Sequence, residues 1–206
     1  LGFSAGAVAG LALFDLLPEA IDLGSRYYSA ETIALFISLG FFGYFILDRL
    51  ILLHTHEEDD EVNAPRGFFG ALTLSAHSFL DGIAIGIGFQ ASAAVGIVVT
   101  AAVLTHDFSD GINTVNLILK NGGSWKRAFR WLLVDAAAPV AGAASTLFFH
   151  IPESAIGLVL AIFVGTFLYL SASDLIPESH HRHPRALTTI MTLLGALVLY
   201  TVVHLL

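Results

Sequence analysis

The 206-residue sequence contains no cysteine. That excludes a disulfide scaffold, a thiolate metal site and a thiol nucleophile. Charge is scarce too: Asp, Glu, Lys and Arg make up 13% of the chain, about half the share usual in soluble domains. Basic residues are scarcest, nine Lys and Arg against 17 Asp and Glu, for a net charge of −8. A chain so poor in cations, with no basic stripe, is not built to bind nucleic acid. There is no initiating Met. The chain starts at Leu1, already inside an apolar run, and is expected to lack an earlier helix. No signal peptide can be argued from such a start.

What fills the chain is hydrocarbon: 56% of its residues are hydrophobic and the mean hydropathy is +0.79. At about 20 residues per bilayer crossing, the length holds roughly six to eight spans and little else. Seven apolar stretches can be marked, at roughly 1–22, 31–53, 67–90, 94–119, 128–149, 154–178 and 185–206. Their connections are short and polar, leaving no room for a soluble domain. Backbone groups inside lipid must be satisfied internally, so runs of this kind mean helices. The expected fold is all-α, a polytopic transmembrane bundle forming one domain, with its lipid bilayer as obligatory partner.

Orientation follows from the basic residues. Arg49, Arg66, Lys120, Lys126, Arg127, Arg130, Arg182 and Arg185 flank connections on one side of the membrane, and only Arg26 lies on the other. Cytoplasmic loops carry such an excess, so the first side is expected to be cytoplasmic and the C-terminus extracytoplasmic. The cell (inner) membrane is the expected location.

Ionisable residues in mid-span cost at least about 2.5–3.5 kcal/mol each, which makes them functional candidates. This chain keeps His77 and Asp81 in the third span, and His106, Asp107 and Asp110 in the fourth. Asp135 lies in the fifth, Asp15 and Glu19 in the first, and Asp174 and Glu178 in the sixth. His77 and Asp81 are four residues apart, about 40° on one helix face. Asp107 and Asp110 are spaced i, i+3, and His106 and Asp110 are spaced i, i+4. At 1.5 Å per residue, His77 (about nine residues in) and Asp107 (about thirteen in) fall near the midplane of a core about 30 Å thick. Carboxylates at that depth must be protonated or meet a cation. No Lys or Arg stands at that level in these three spans, so protons or a bound metal must supply the charge. Imidazole with carboxylate suits Zn²⁺, Fe²⁺ or Mn²⁺. A single such residue can serve packing or hydrogen bonding, whereas five on two helices point to a shared ligand. Asp135 stays open between those roles. Asp15 and Glu19 stay open between a pathway role and a helix-end cap around Pro18.

Two motifs repeat. His77-Ser78-Phe79-Leu80-Asp81-Gly82-Ile83 recurs as His106-Asp107-Phe108-Ser109-Asp110-Gly111-Ile112, giving H-x-F-x-D-G-I on consecutive, oppositely directed spans. Asp15-Leu16-Leu17-Pro18-Glu19 recurs as Asp174-Leu175-Ile176-Pro177-Glu178. Given the orientation above, both pairs are expected to be related by inversion across the membrane plane, a transporter signature. Completing that symmetry requires an eighth span before the first, in a 3+2+3 arrangement. A cation would enter past Asp15 and Glu19 and leave past Asp174 and Glu178. Gly82, Gly86, Gly88 and Gly111 permit close packing beside the ligands. His54 and His56 lie in an acidic loop over 54–66, and His180, His181 and His183 form a second cluster on the same side. Both read either as solvated linkers or as low-affinity landing sites for metal.

These residues resemble the ZIP family of divalent-metal transporters, of prokaryotic type. The resemblance runs from that family's second span to its eighth. It takes in the His-rich loop after the third and L-L-P-E-A (Leu16–Ala20) near the outer end of the second. The family's fourth span carries H-N-x-x-[DE]-G, matched by His77, Asp81 and Gly82. Its fifth carries a related motif ending in [DE]-G, matched by Asp107, Asp110 and Gly111. The resemblance implies eight helices and a binuclear site between those two spans. It also implies metal influx to the cytoplasm, often by a homodimer, with Zn²⁺ first and Fe²⁺, Mn²⁺ or Cd²⁺ as other substrates. It implies that His77, Asp81 and Asp110, with Asp15, line one metal position. Ser78, Asp81, Asp107, Asp110 and Asp135 line the other, and Asp174 the inner pathway. Three departures stand out: Ser78 replaces the usual Asn, Leu80 and Ser109 stand where proline is common, and Asp15 stands where His or Met is often found. Without those prolines, strong kinks are not expected in these two helices. Competing classes are an ion- or proton-coupled carrier of another solute and an intramembrane metallohydrolase. The latter would need H-E-x-x-H, which is absent.

Overall fold

The computed structural model describes residues 2–55, 64–177 and 186–205, and among them every regular element is helical. The first span comprises α1 (Gly2–Gly10), a π-helical stretch (Leu11–Leu16) and α2 (Leu17–Ser25). It is followed by α3 (Ala30–Thr55), α4 (Ala64–Ala91), α5 (Ala93–Lys120) and α6 (Trp125–Ser145), which closes in a 3₁₀ turn (Thr146–Phe148). Then come α7 (Glu153–Tyr169), a second π-helical stretch (Leu170–Leu175) and α8 (Ala186–Leu205). Six of the seven helical runs are long and apolar enough to cross a membrane among the described residues, and α3 is apolar over Ala30–Ile46. The chain is an integral membrane protein by this count.

Helix ends fall where capping chemistry puts them. Ser92 begins α5 by accepting the Val95 N–H, and Ser124 begins α6 by accepting the Arg127 N–H. At the end of α5 the Gly123 N–H bonds the Ile118 carbonyl and the Gly122 N–H bonds the Leu119 carbonyl. That pattern needs a left-handed residue at Gly122, whose φ is 76°.

The chain divides into two compact units. The first takes in Leu1–Ile46, Ile87–His106 and His150–Leu206. Here α1 runs parallel to α8, with Gly6 against the Thr192 backbone, Gly10 against Ala196 and Gly195 against the Phe3 carbonyl. α7 lies antiparallel to the first span: Gly157, near its start, touches Gly24 near the end of α2, while α1 lies beside the Leu170–Leu175 stretch. Such close approach of small residues is how helices associate in lipid, where no hydrophobic drive separates protein from solvent. Arg26 closes this end. Its guanidinium lies 2.6 Å from Asp22 and 3.7 Å from Glu153, and the Asp22 bond raises its pKa above the ordinary value.

The second unit holds Leu47–Gly86 and Asp107–Phe149. The early part of α4 packs antiparallel to the late part of α5, Gly67 beside Asn121 and Gly70 beside Leu117. α6 packs parallel to α4. A Cβ at Gly82 would collide with the Pro139 carbonyl, and one at Gly142 with the Phe79 carbonyl, so the two backbones touch beside Asp81. Ala71, Ile118 and Ala128 form an apolar core under Trp131, which meets Phe68 edge to face at 5.4 Å. The outward faces of α6 and α8 expose Phe129, Leu133, Val140, Leu187, Leu193 and Leu197, apolar surface of the kind a bilayer covers.

Candidate metal centre

α4 and α5 are unbroken helices through both H-x-F-x-D-G-I motifs, as expected from Leu80 and Ser109 in place of proline. Regular helix fixes what each motif presents. On α4, His77 Nε2 lies 3.3 Å from Asp81 Oδ2, the i, i+4 geometry read from the sequence. On α5, one donor atom each from His106, Asp107 and Asp110 lies within 4.8 Å of the others. Asp81, His106 and Asp110 are 3%, 1% and 8% exposed, so these groups have left water without any Lys or Arg beside them in sequence.

The His106 ring is oriented by its own helix. Its Nδ1 lies 3.0 Å from the Ala102 carbonyl, which can only accept, so Nδ1 carries the proton. In the neutral ring the lone pair is then on Nε2, the arrangement in which metal-binding histidines are normally held.

Asp135 links α6 to α4 and α5. Its Oδ1 accepts from Ser78 of α4 at 3.1 Å and its Oδ2 from Thr114 of α5 at 3.3 Å. The carboxylate is buried, 4% exposed, and so are both hydroxyls. Of the sequence candidates, Ser78 and Asp135 are thus brought into direct contact. Thr114 was not among them. Its signal in the sequence is a hydroxyl residue four positions after Asp110, on the face the acids occupy.

The D-L-[LI]-P-E motifs sit on a different backbone. Asp15 is the fifth residue of the first π stretch and Asp174 the fifth of the second. The Leu17 N–H bonds the Ala12 carbonyl and the Ile176 N–H the Ser171 carbonyl, each five residues back. The helix does not end at Pro18. Pro18 opens α2 with no side-chain cap, so the capping alternative for Asp15 and Glu19 gives way to a π turn. Asp15 Oδ2 is buried and has no hydrogen-bond partner among the described residues. Glu19 is half-buried on α2. His54 and Asp174 lie in helical backbone whose side chains are not described. His56, Glu178, His180, His181 and His183 lie outside the described residues.

The sequence profile of the family described as "ZIP Zinc transporter" matches residues 54–202. Zinc transporter SLC39A7 of Canis lupus familiaris is 27% identical over 161 residues, covering 72% of this chain and 34% of its own length. The Mus musculus protein of the same name is 30% identical over 151 residues, 68% of this chain and 32% of its own length. Zinc transporter ZIP13 of Pongo abelii is 23% identical over 190 residues, 86% of this chain and 57% of its own length. The chain spans about a third of the length of the first two relatives and somewhat over half of the third. With the profile covering more than half of the sequence, and both acid-bearing helices inside the match, the chain belongs to the ZIP zinc transporter family.

Proposed function

We propose that this chain carries a divalent transition-metal ion across the membrane into the cytoplasm. Zn²⁺ is the first substrate, and Fe²⁺, Mn²⁺ or Cd²⁺ are chemically admissible. One observation carries the reading: His106, Asp107 and Asp110 offer clustered donor atoms from one buried helix face, with His106 Nδ1 turned to the Ala102 carbonyl. Such a group needs positive charge, and a doubly charged ion supplies it. The relatives named above are zinc transporters, which supports the choice of metal.

In this reading the ion is held at a binuclear centre. His77, Asp81 and Asp110 line one position, and Ser78, Asp81, Asp107, Asp110 and Asp135 line the other, with His106 beside them. A donor set this rich in carboxylate softens the preference for zinc over Mn²⁺ and Fe²⁺. Asp15 and Glu19 serve entry and Asp174 and Glu178 exit, with alternating access as the transport cycle. The antiparallel packing of the first span, which carries one copy of D-L-[LI]-P-E, against α7 and the π stretch in which the second copy begins supports an inverted repeat. The His54, His56, His180, His181 and His183 tracts act as landing sites. Assembly as a homodimer belongs to the same proposal.

The test is zinc uptake by proteoliposomes containing the purified chain. Asp81→Ala should abolish uptake while leaving insertion and yield intact. Normal uptake by that variant would contradict its role as the shared ligand.

A further inference from the structure

We infer that Thr114 is a positioning residue for the metal centre, holding the Asp135 carboxylate in place for the ion. The inference rests on the transport reading for Asp135 as a ligand and adds a residue which that reading does not use.

Mid-helix hydroxyls usually spend their single proton on a carbonyl one turn back in their own helix. Ser38 bonds Ala34, Thr100 bonds Gly96 and Thr192 bonds Thr188 in this way. Thr114 instead reaches across to Asp135 Oδ2 on α6, at 3.3 Å, and is 0% exposed. Placement on α5 gives the contact its meaning. Thr114 lies four residues after Asp110 and seven after Asp107, which returns to within about 20° of the same face. The stripe that bears the two acids therefore ends in a hydroxyl aimed at the third.

Ser78 cannot do this work alone. Its oxygen is 3.1 Å from the Leu74 carbonyl and 3.1 Å from Asp135 Oδ1, and one proton serves one acceptor at a time. The buried Ser75 hydroxyl, on α4 like Ser78, also stands beside the same carboxylate, so the hold from α5 rests on Thr114. Thr114 is therefore the standing donor and Ser78 the intermittent one. When the Ser78 proton turns to Leu74, Thr114 keeps Asp135 in register. A carboxylate accepting two hydroxyl bonds still has lone pairs for a cation.

The experiment titrates Zn²⁺ into the purified full chain in detergent and follows binding calorimetrically. Thr114→Val keeps the shape, removes the hydroxyl and should weaken binding about 10-fold. Thr114→Ser should bind as the parent does. Asp135→Ala should weaken binding further, and adding Thr114→Val to it should change nothing more, because Thr114 acts only through that carboxylate. Parental affinity in Thr114→Val, failure of the serine variant to rescue, or two effects that multiply in the double variant would each overturn the inference. Should the valine variant aggregate, Thr114→Ala removes the same hydroxyl with less bulk and is read identically. The two proposals fail separately. A chain that binds zinc but does not carry it contradicts transport alone, whereas zinc uptake with a Thr114→Val variant that binds normally contradicts the positioning role alone.

Discussion

The two internal repeats put acids into lipid on opposite kinds of backbone. H-x-F-x-D-G-I occurs twice on helices of 28 residues each that stay regular throughout. D-L-[LI]-P-E occurs twice where the α-helix has widened into six π-helical residues, in the same register both times. The cause is the proline. Pro18 and Pro177 have no N–H to offer, and their rings collide with the carbonyl four residues back, at Phe14 and Ser173. An extra residue in the turn relieves the collision, and Leu17 and Ile176 bond five residues back instead of four. Leu80 and Ser109 impose no such demand. A regular helix holds ligand atoms in fixed mutual positions, which suits binding. A π turn leaves backbone groups that can be re-paired, which in the transport reading suits a route that must open and close.

Four changes test whether the two kinds of backbone serve different ends. The largest effect is expected on the regular helices: Asp110→Ala should lower both zinc affinity and uptake by at least about 100-fold, since a buried ligand group loses a charged member. Calorimetry and vesicle uptake on the same preparation measure both, and affinity within a few-fold of the parent would separate Asp110 from the site. Next comes Asp174→Asn, which should slow uptake about 10-fold while binding changes less than about 2-fold. Equal losses would move Asp174 from route to site. Pro18→Ala supplies the missing N–H and lets the first π turn revert to α-helix. Thermal stability should rise and uptake should slow several-fold with affinity unchanged, and unchanged uptake would mean that the wide turn has no part in passage. Deleting residues 54–61 should have the smallest effect, a change in rate or regulation only. Complete loss of uptake would show that the acidic loop is required.

Much of this is legible in the sequence. Apolar run length placed the helices because lipid leaves the backbone no alternative, and the runs at 31–53 and 94–119 match Ala30–Thr55 and Ala93–Lys120 to within two residues. The pairing of His77 with Asp81 and of Asp107 with Asp110 followed from 3.6-residue periodicity alone. Other features needed the folded chain. The π turns are a matter of hydrogen-bond register, and although proline signalled a disturbance it did not say whether the helix would cap, kink or widen. Thr114 looked like one more residue of an apolar span, since only the arrival of α6 gives its hydroxyl an acid to hold. The touching backbones at Gly82 and Pro139 depend on which helix lies alongside, which spacing within one helix does not encode.

In the transport reading the buried imidazole and carboxylates of α5 receive a divalent ion. Anomalous diffraction at the zinc edge, on crystals of the chain grown with Zn²⁺, tests it most directly. The expected result is a peak in coordination distance of His106, Asp107 or Asp110. Ordered protein at that place with zinc bound only to surface histidines would contradict it.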